Sequence, residues 1–128
     1  MTFNGLEKLE DRILFSTELY GNPIPANGRF SYIGNNGAVE VKLTRFEVGS
    51  WETDVEGDLY IDIKSTAKTS LSIKGEADIE RISVNNGLKK INAKNSDVKT
   101  EGMIDILGEV RKIRLNDVAR GANINIDS

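Results

Sequence analysis

Three carboxylates fall within five residues in Asp54-Val55-Glu56-Gly57-Asp58. Oxygen ligands at alternating positions beside a glycine are what a calcium ion takes, so Asp54, Glu56 and Asp58 form a candidate calcium site. The twelve-residue calcium loop with its closing Glu is not there, and the same residues serve equally as a solvated hairpin turn. Asp105 and Glu109 are a second candidate pair, able in principle to share acid and base roles in glycan cleavage. Their plainer reading is two solvated positions on a strand and its turn. Lys89-Lys90 and Arg111-Lys112 would make a basic stripe on neighbouring strands, suited to an acidic polysaccharide, with Glu80 and Glu109 as offsetting neighbours. Trp51 and Tyr60 are the aromatic residues from which a sugar-stacking platform would be built; a Trp in a strand-rich chain also serves as core or rim.

Two absences narrow the chemistry. The chain has no His, which removes the usual general base, the Ser-His-Asp triad and nearly every transition-metal site. It has no Cys, hence no thiolate nucleophile, disulfide or Cys-based zinc site. The net charge of −3 argues against nucleic acid as a partner, because phosphate binding needs a basic face. No apolar run approaches the length of a membrane span, and no apolar stretch behind a basic start marks a secretory signal. These observations favour a non-enzymatic protein without a cofactor, calcium apart.

The elements that would position these residues are mostly strands. At 128 residues and 38% apolar, the chain has the size and content of one domain with its own core. Residues 5–15 have helical spacing, with Leu6, Leu9, Ile13 and Leu14 on one face, Asn4 as N-cap and Glu7 three residues later. Gly21, Pro23 and Pro25 then break regular structure. The sequence therefore divides into a helix and loop over 1–28 and a β-repeat domain over 29–128. From Arg29 the period is two. Gly34-Asn35-Asn36-Gly37 is a hairpin turn. Val39, Val41 and Leu43 alternate with polar residues, and Phe46 and Val48 follow a slip of one residue that reads as a bulge at Arg45. Leu59, Ile61 and Ile63 form another alternating set.

The second half repeats itself. Residues 79–85 read IERISVN, 88–93 read LKKINA with Asn95 following, and 110–116 read VRKIRLN. Each copy has Ile at its centre, at 82, 91 and 113, and Asn85, Asn95 and Asn116 fall at candidate corners. Short strands joined by turns at this spacing suit a β-solenoid, whose rungs stack in parallel with like residues pointing inward. The expected fold is therefore mainly β, a solenoid resembling a parallel β-helix with a short capping α-helix laid over the first rung. An antiparallel β-sandwich is the alternative, and residues 39–63 fit it equally.

The stretch LEKLEDRILFS, residues 6–16, resembles the LEPR-XLL motif found near the N-termini of large extracellular proteins of planctomycetes and related bacteria. Leu9, Glu10, Asp11, Arg12, Leu14 and Ser16 match it, with Phe15 in place of the second Leu. Such proteins continue into β-rich repeats, and Ile106–Ile126 is similar to those, with Gly108, Val110, Ile113, Leu115, Asp117-Val118 and Gly121 in corresponding places. The resemblance implies a secreted or cell-surface protein of which this chain is the N-terminal portion. It also implies a structural or adhesive role, with assembly on itself or on further repeats by end-to-end or edge stacking. Glu56–Asp62, EGDLYID, is similar to strand phrases of the bactofilins, which implies instead a cytoskeletal β-helix polymer. A carbohydrate- or calcium-binding β-sandwich using Trp51, Tyr60 and the Asp54–Asp58 turn is the third reading.

Overall fold

The computed structural model describes residues 21–127. The expected capping helix and the motif residues Leu9, Glu10, Asp11, Arg12, Leu14 and Ser16 lie outside them. Ten strands follow one another: β1 (Asn22–Pro23), β2 (Arg29–Gly34), β3 (Gly37–Thr44), β4 (Val48–Thr53), β5 (Leu59–Lys64), β6 (Ser70–Lys74), β7 (Asp78–Val84), β8 (Leu88–Leu107), β9 (Val110–Val118) and β10 (Asn123–Asp127). They coil into a β-solenoid with two main faces. One face stacks β5, β7, the second half of β8 and β10, all parallel. The other stacks β6, the first half of β8 and β9, also parallel. The long β8 runs through one corner and contributes to both.

Register explains why the sequence folds this way. Ile61 pairs with Ile82, Ile82 with Ile104 and Ile104 with Ile124. Two residues further on, Ile63, Val84, Ile106 and Ile126 do the same. Leu71, Ile91 and Ile113 form the matching file on the opposite face. Alternation sends each file inward, where Ile61, Ile82, Ile91, Ile104 and Ile106 are completely buried. The repeat visible in the sequence is thus a half-rung. Ile91 and Ile113 share a file, whereas Ile82, nine residues before Ile91, belongs to the facing sheet.

Parallel stacking does not extend to the start of the domain. β2 pairs antiparallel with β3 and β3 with β6; on the other face β1 pairs with β4 and β4 with β5, again antiparallel. The sandwich alternative therefore describes this end alone. The Asn35-Asn36 hairpin is where the sequence puts it, with Gly34 opposite Gly37. The slip at Arg45 is a turn and not a bulge: the chain crosses there from one face to the other, and Arg45 takes φ +58. Residues 22–28 also belong to the β domain. Ile24 is buried and donates its N–H to Gly49 O at 2.9 Å, and Leu43 N–H donates to Gly28 O at 2.7 Å. A Cβ on Gly28 would lie 1.8 Å from the Leu43 oxygen, so only glycine fits.

Two buried serines fasten successive rungs at opposite corners. Ser65 Oγ donates to Gly87 O (2.6 Å) and accepts from Asn86 N–H (3.1 Å). Ser96 Oγ donates to Gly75 O (3.1 Å) and accepts from Ala77 N–H (3.0 Å). Of the expected corner asparagines, Asn85 accepts from Ser65 N–H at 2.9 Å and Asn116 donates to Asp97 Oδ1 at 2.8 Å.

The inner files set the stability. Ile91→Ala removes a fully buried side chain with rungs on both sides and should cost about 3 kcal/mol. Ile126→Ala, at 48% exposure in the last strand, should cost below ~1 kcal/mol. Chemical denaturation of both variants checks the contrast; equal losses would contradict the stacking account.

Candidate functional site

The turn between β4 and β5 carries Asp54, Glu56 and Asp58, one oxygen of each within 4.8 Å of the others. Asp54 organises it. Its Oδ1 accepts from Glu56 N–H at 2.9 Å and Asp58 N–H at 3.0 Å, and its Oδ2 accepts from the Tyr60 hydroxyl at 3.4 Å. Backbone bonds from Asp54 N–H to Asp58 O and from Gly57 N–H to Asp54 O close the loop. Asn35, from the β2–β3 hairpin, donates to Glu56 O and to Asp78 Oδ2. Hydrogen bonds within the chain thus account for the turn, and any cation there would compete for an Asp54 oxygen that already accepts twice.

This corner gathers more acid than the sequence stretch alone. Asp78 joins from β7, and Asp78, Asp97 and Asp117 stack in register over three rungs. Burial first, and the Asp54 carboxylate second, push the buried Asp58 carboxyl above its ordinary value; Lys99 pulls the other way. Glu80 is raised by burial and then by Asp58, Asp54, Glu101 and Glu56. The Tyr60 hydroxyl is raised by burial, then Glu80 and Asp54. The Tyr32 hydroxyl is buried without a hydrogen-bond partner, and burial followed by Asp78 and Asp58 pushes it up to about 12.

The other expected sites are taken apart or enlarged. Trp51 lines a groove of about 240 Å³ together with Tyr60, Asp62 and Arg81. It stacks on Phe30 with centroids 4.3 Å apart and 10° between planes, and on Tyr32 at 5.7 Å, against the core. Asp105 lies on the outside of β8, while Glu109 lies beyond the Gly108 turn where the chain leaves for the opposite face. Arg81 pairs with Asp62 at 3.3 Å on the β5–β7 face.

The basic stripe is larger than two dipeptides. Lys90 lies beside Lys112, and Leu88 pairs with Val110, which sets Lys89 beside Arg111. The same outer surface carries Arg29 and Lys42, paired in register, Lys74 from β6, Lys94 from β8 and Arg114 from β9. All are exposed. Glu40 interrupts the cations on β3, and Asp97 and Asp117 lie at the far ends of the β8 and β9 segments on this face. Glu80 belongs to the opposite face and does not offset the stripe. Lys89-Lys90 and Arg111-Lys112 were visible as a repeat. Arg45 and Lys68, which line a groove beside Lys89 and Arg111, were not, because both come from turns with no local pattern.

Comparison of the chain with protein-family models, with curated proteins and with solved structures finds no match.

The acidic corner gives a pH dependence. Asp58 and Glu80 have folded-state pKa values above their ordinary 3.8 and 4.5, so the folded protein holds these protons more tightly than the unfolded chain. Their stability contribution is present below those values and is lost as pH rises through the folded ones. Melting temperature should therefore rise as the pH is lowered from 7 toward the ordinary carboxyl values of these two groups. Asp58→Asn should raise it at pH 7 and flatten the profile. Thermal melts across this range test both; a melting temperature that falls steadily toward pH 5 counts against the assignment.

Proposed function

We propose that this chain is a non-enzymatic structural module that works by stacking, with its last described rung receiving β-structure from a second copy or from further repeats of the parent chain. One observation carries the reading. The inner files are sealed in the middle of the solenoid and open at its end. Ile104, Ile106 and Val98 are completely buried, whereas their in-register neighbours Ile124, Ile126 and Val118 are 38%, 48% and 39% exposed. β9 and β10 are edge strands among the described residues, and an edge with unpaired N–H and C=O groups is a template for another strand. A solenoid rung with a half-exposed apolar file gains by being covered.

The opposite end supports a polar, one-ended mode of growth. Antiparallel strands and the rings of Phe30, Tyr32, Phe46 and Trp51 cover the core there. Residues of the last rung, Val110, Ile113 and Leu115, are only partly buried. Among the described residues no helix is long and apolar enough to cross a membrane. Taken with the resemblance of residues 6–16 to the LEPR-XLL motif, this reading puts the module at the cell surface or outside the cell. Fractionation of cells expressing the chain tests that location.

Sedimentation velocity over a wide concentration range, with negative-stain electron microscopy, tests the stacking. Concentration-dependent oligomers or end-to-end fibres are expected. Ile126→Lys should abolish them while shifting the melting temperature by no more than a few degrees. A chain that stays strictly monomeric at the highest concentration overturns the self-assembly reading.

A further inference from the structure

At the corner where the chain passes from the β5–β7 face to the basic face, a groove of about 550 Å³ is lined by Thr44, Arg45, Lys68, Ser70, Lys89 and Arg111, together with Ala67. Four cations and two hydroxyls meet there without a carboxylate. All four cations are exposed, and neither ion pair found among the described residues, Lys64–Glu47 and Arg81–Asp62, involves them. The cations come from successive layers: Arg45 beyond the end of β3, Lys68 ahead of β6, Lys89 on β8 and Arg111 on β9. Layers in a sheet repeat about every 4.8 Å, so the row spans roughly 14 Å along the solenoid axis.

Arg45 is held in this row against its own backbone preference. Its φ of +58 lies in the left-handed region, costly for a side chain other than glycine or asparagine. Two threonine hydroxyls fix it there: Thr66 Oγ1 donates to Arg45 O at 3.0 Å and Thr69 Oγ1 at 2.7 Å. Thr69 is completely buried. Glycine would make the same turn without strain, and what it lacks is the guanidinium beside the groove.

We propose that this groove and the basic sheet next to it bind an acidic polysaccharide, whose carboxylate or sulfate groups pair with Arg45, Lys68, Lys89 and Arg111 while Thr44 and Ser70 meet its hydroxyls. Charge complementarity identifies the ligand class. A row of cations one layer apart matches a linear polymer with an oxyanion on each successive sugar. Nucleic acid fits less well. Binders of single strands stack bases on exposed aromatic rings, and no aromatic residue lines this groove. Arg111 sits on the last described rung, but every lining residue belongs to one copy, so the site does not depend on the stacking proposal.

The experiment is titration of the full chain with polygalacturonate, dextran sulfate, neutral dextran and a thymidine 20-mer, followed by calorimetry at low and high salt. Polygalacturonate or dextran sulfate should bind, with affinity falling as salt rises; the pair of polymers separates carboxylate from sulfate. Lys89→Glu with Arg111→Glu should weaken binding roughly tenfold or more. Lys64→Glu, on the other face, should leave it unchanged. Arg45→Gly should weaken binding without lowering the melting temperature, a result that a purely structural role for the side chain would not produce. Equal binding of neutral dextran, tighter binding of the thymidine 20-mer, or indifference to the double charge reversal would overturn the proposal.

Discussion

The in-register stacking of aliphatic files is the constraint on which the rest of the molecule depends. A parallel ladder places each residue beside its equivalent one rung earlier, so a residue buried once must be apolar in every rung. Ile61, Ile82, Ile104 and Ile124 meet that condition on one face, and Leu71, Ile91 and Ile113 on the other. The files are 20–22 residues per step on the first face, which leaves two short strands and two corners for each turn. Corners must then be tight. They are closed by glycines at positive φ, such as Gly75, Gly87 and Gly108, and by Ser65 and Ser96 bonding across rungs from buried positions. Buried backbone groups that leave a ladder need partners, and those two hydroxyls supply them where the ladder is interrupted.

The same constraint gives the module a direction. Reversal of the chain at Arg45 makes β3 and β4 antiparallel to β6 and β5, so parallel stacking cannot be continued on that side without changing its geometry. Aromatic rings fill the end instead, and Trp51 between Phe30 and Tyr32 is spent there on packing. At the other end the files run out among half-exposed isoleucines.

Much of the fold was legible because a β-solenoid writes its structure as period two within strands and as a repeat between them. Alternation located the inward residues of β3, β5 and β7, and Gly34–Gly37 located the hairpin. The repeat leaves open which copies share a file, because Ile82, Ile91 and Ile113 sit in similar local phrases. Facing sheets make the same demands on a strand, so sequence alone cannot separate half a rung from a whole one. Strand direction in residues 39–63 was equally silent: side chains alternate in the same way whether the neighbour runs parallel or antiparallel. The acidic turn was found by composition, but the layers that deepen it, Asp78 and Glu80, arrive from 20 or more residues away.

Net charge says least about this surface, and the reason is geometric. A total of −3 suggests a surface without a basic region. Alternation and stacking, however, sort charges by face. Asp54, Glu56, Asp58, Asp78 and Glu80 converge on one corner and raise the carboxyls of Asp58 and Glu80. Lys42, Lys90, Lys112 and Arg114 share the outside of the opposite sheet. The two fields cancel in the sum and not in space, since at physiological salt charges more than about 8 Å apart hardly screen one another's ligands. A chain of mildly acidic composition therefore carries a continuous basic surface on one face, built up layer by layer from β3, β6, β8 and β9.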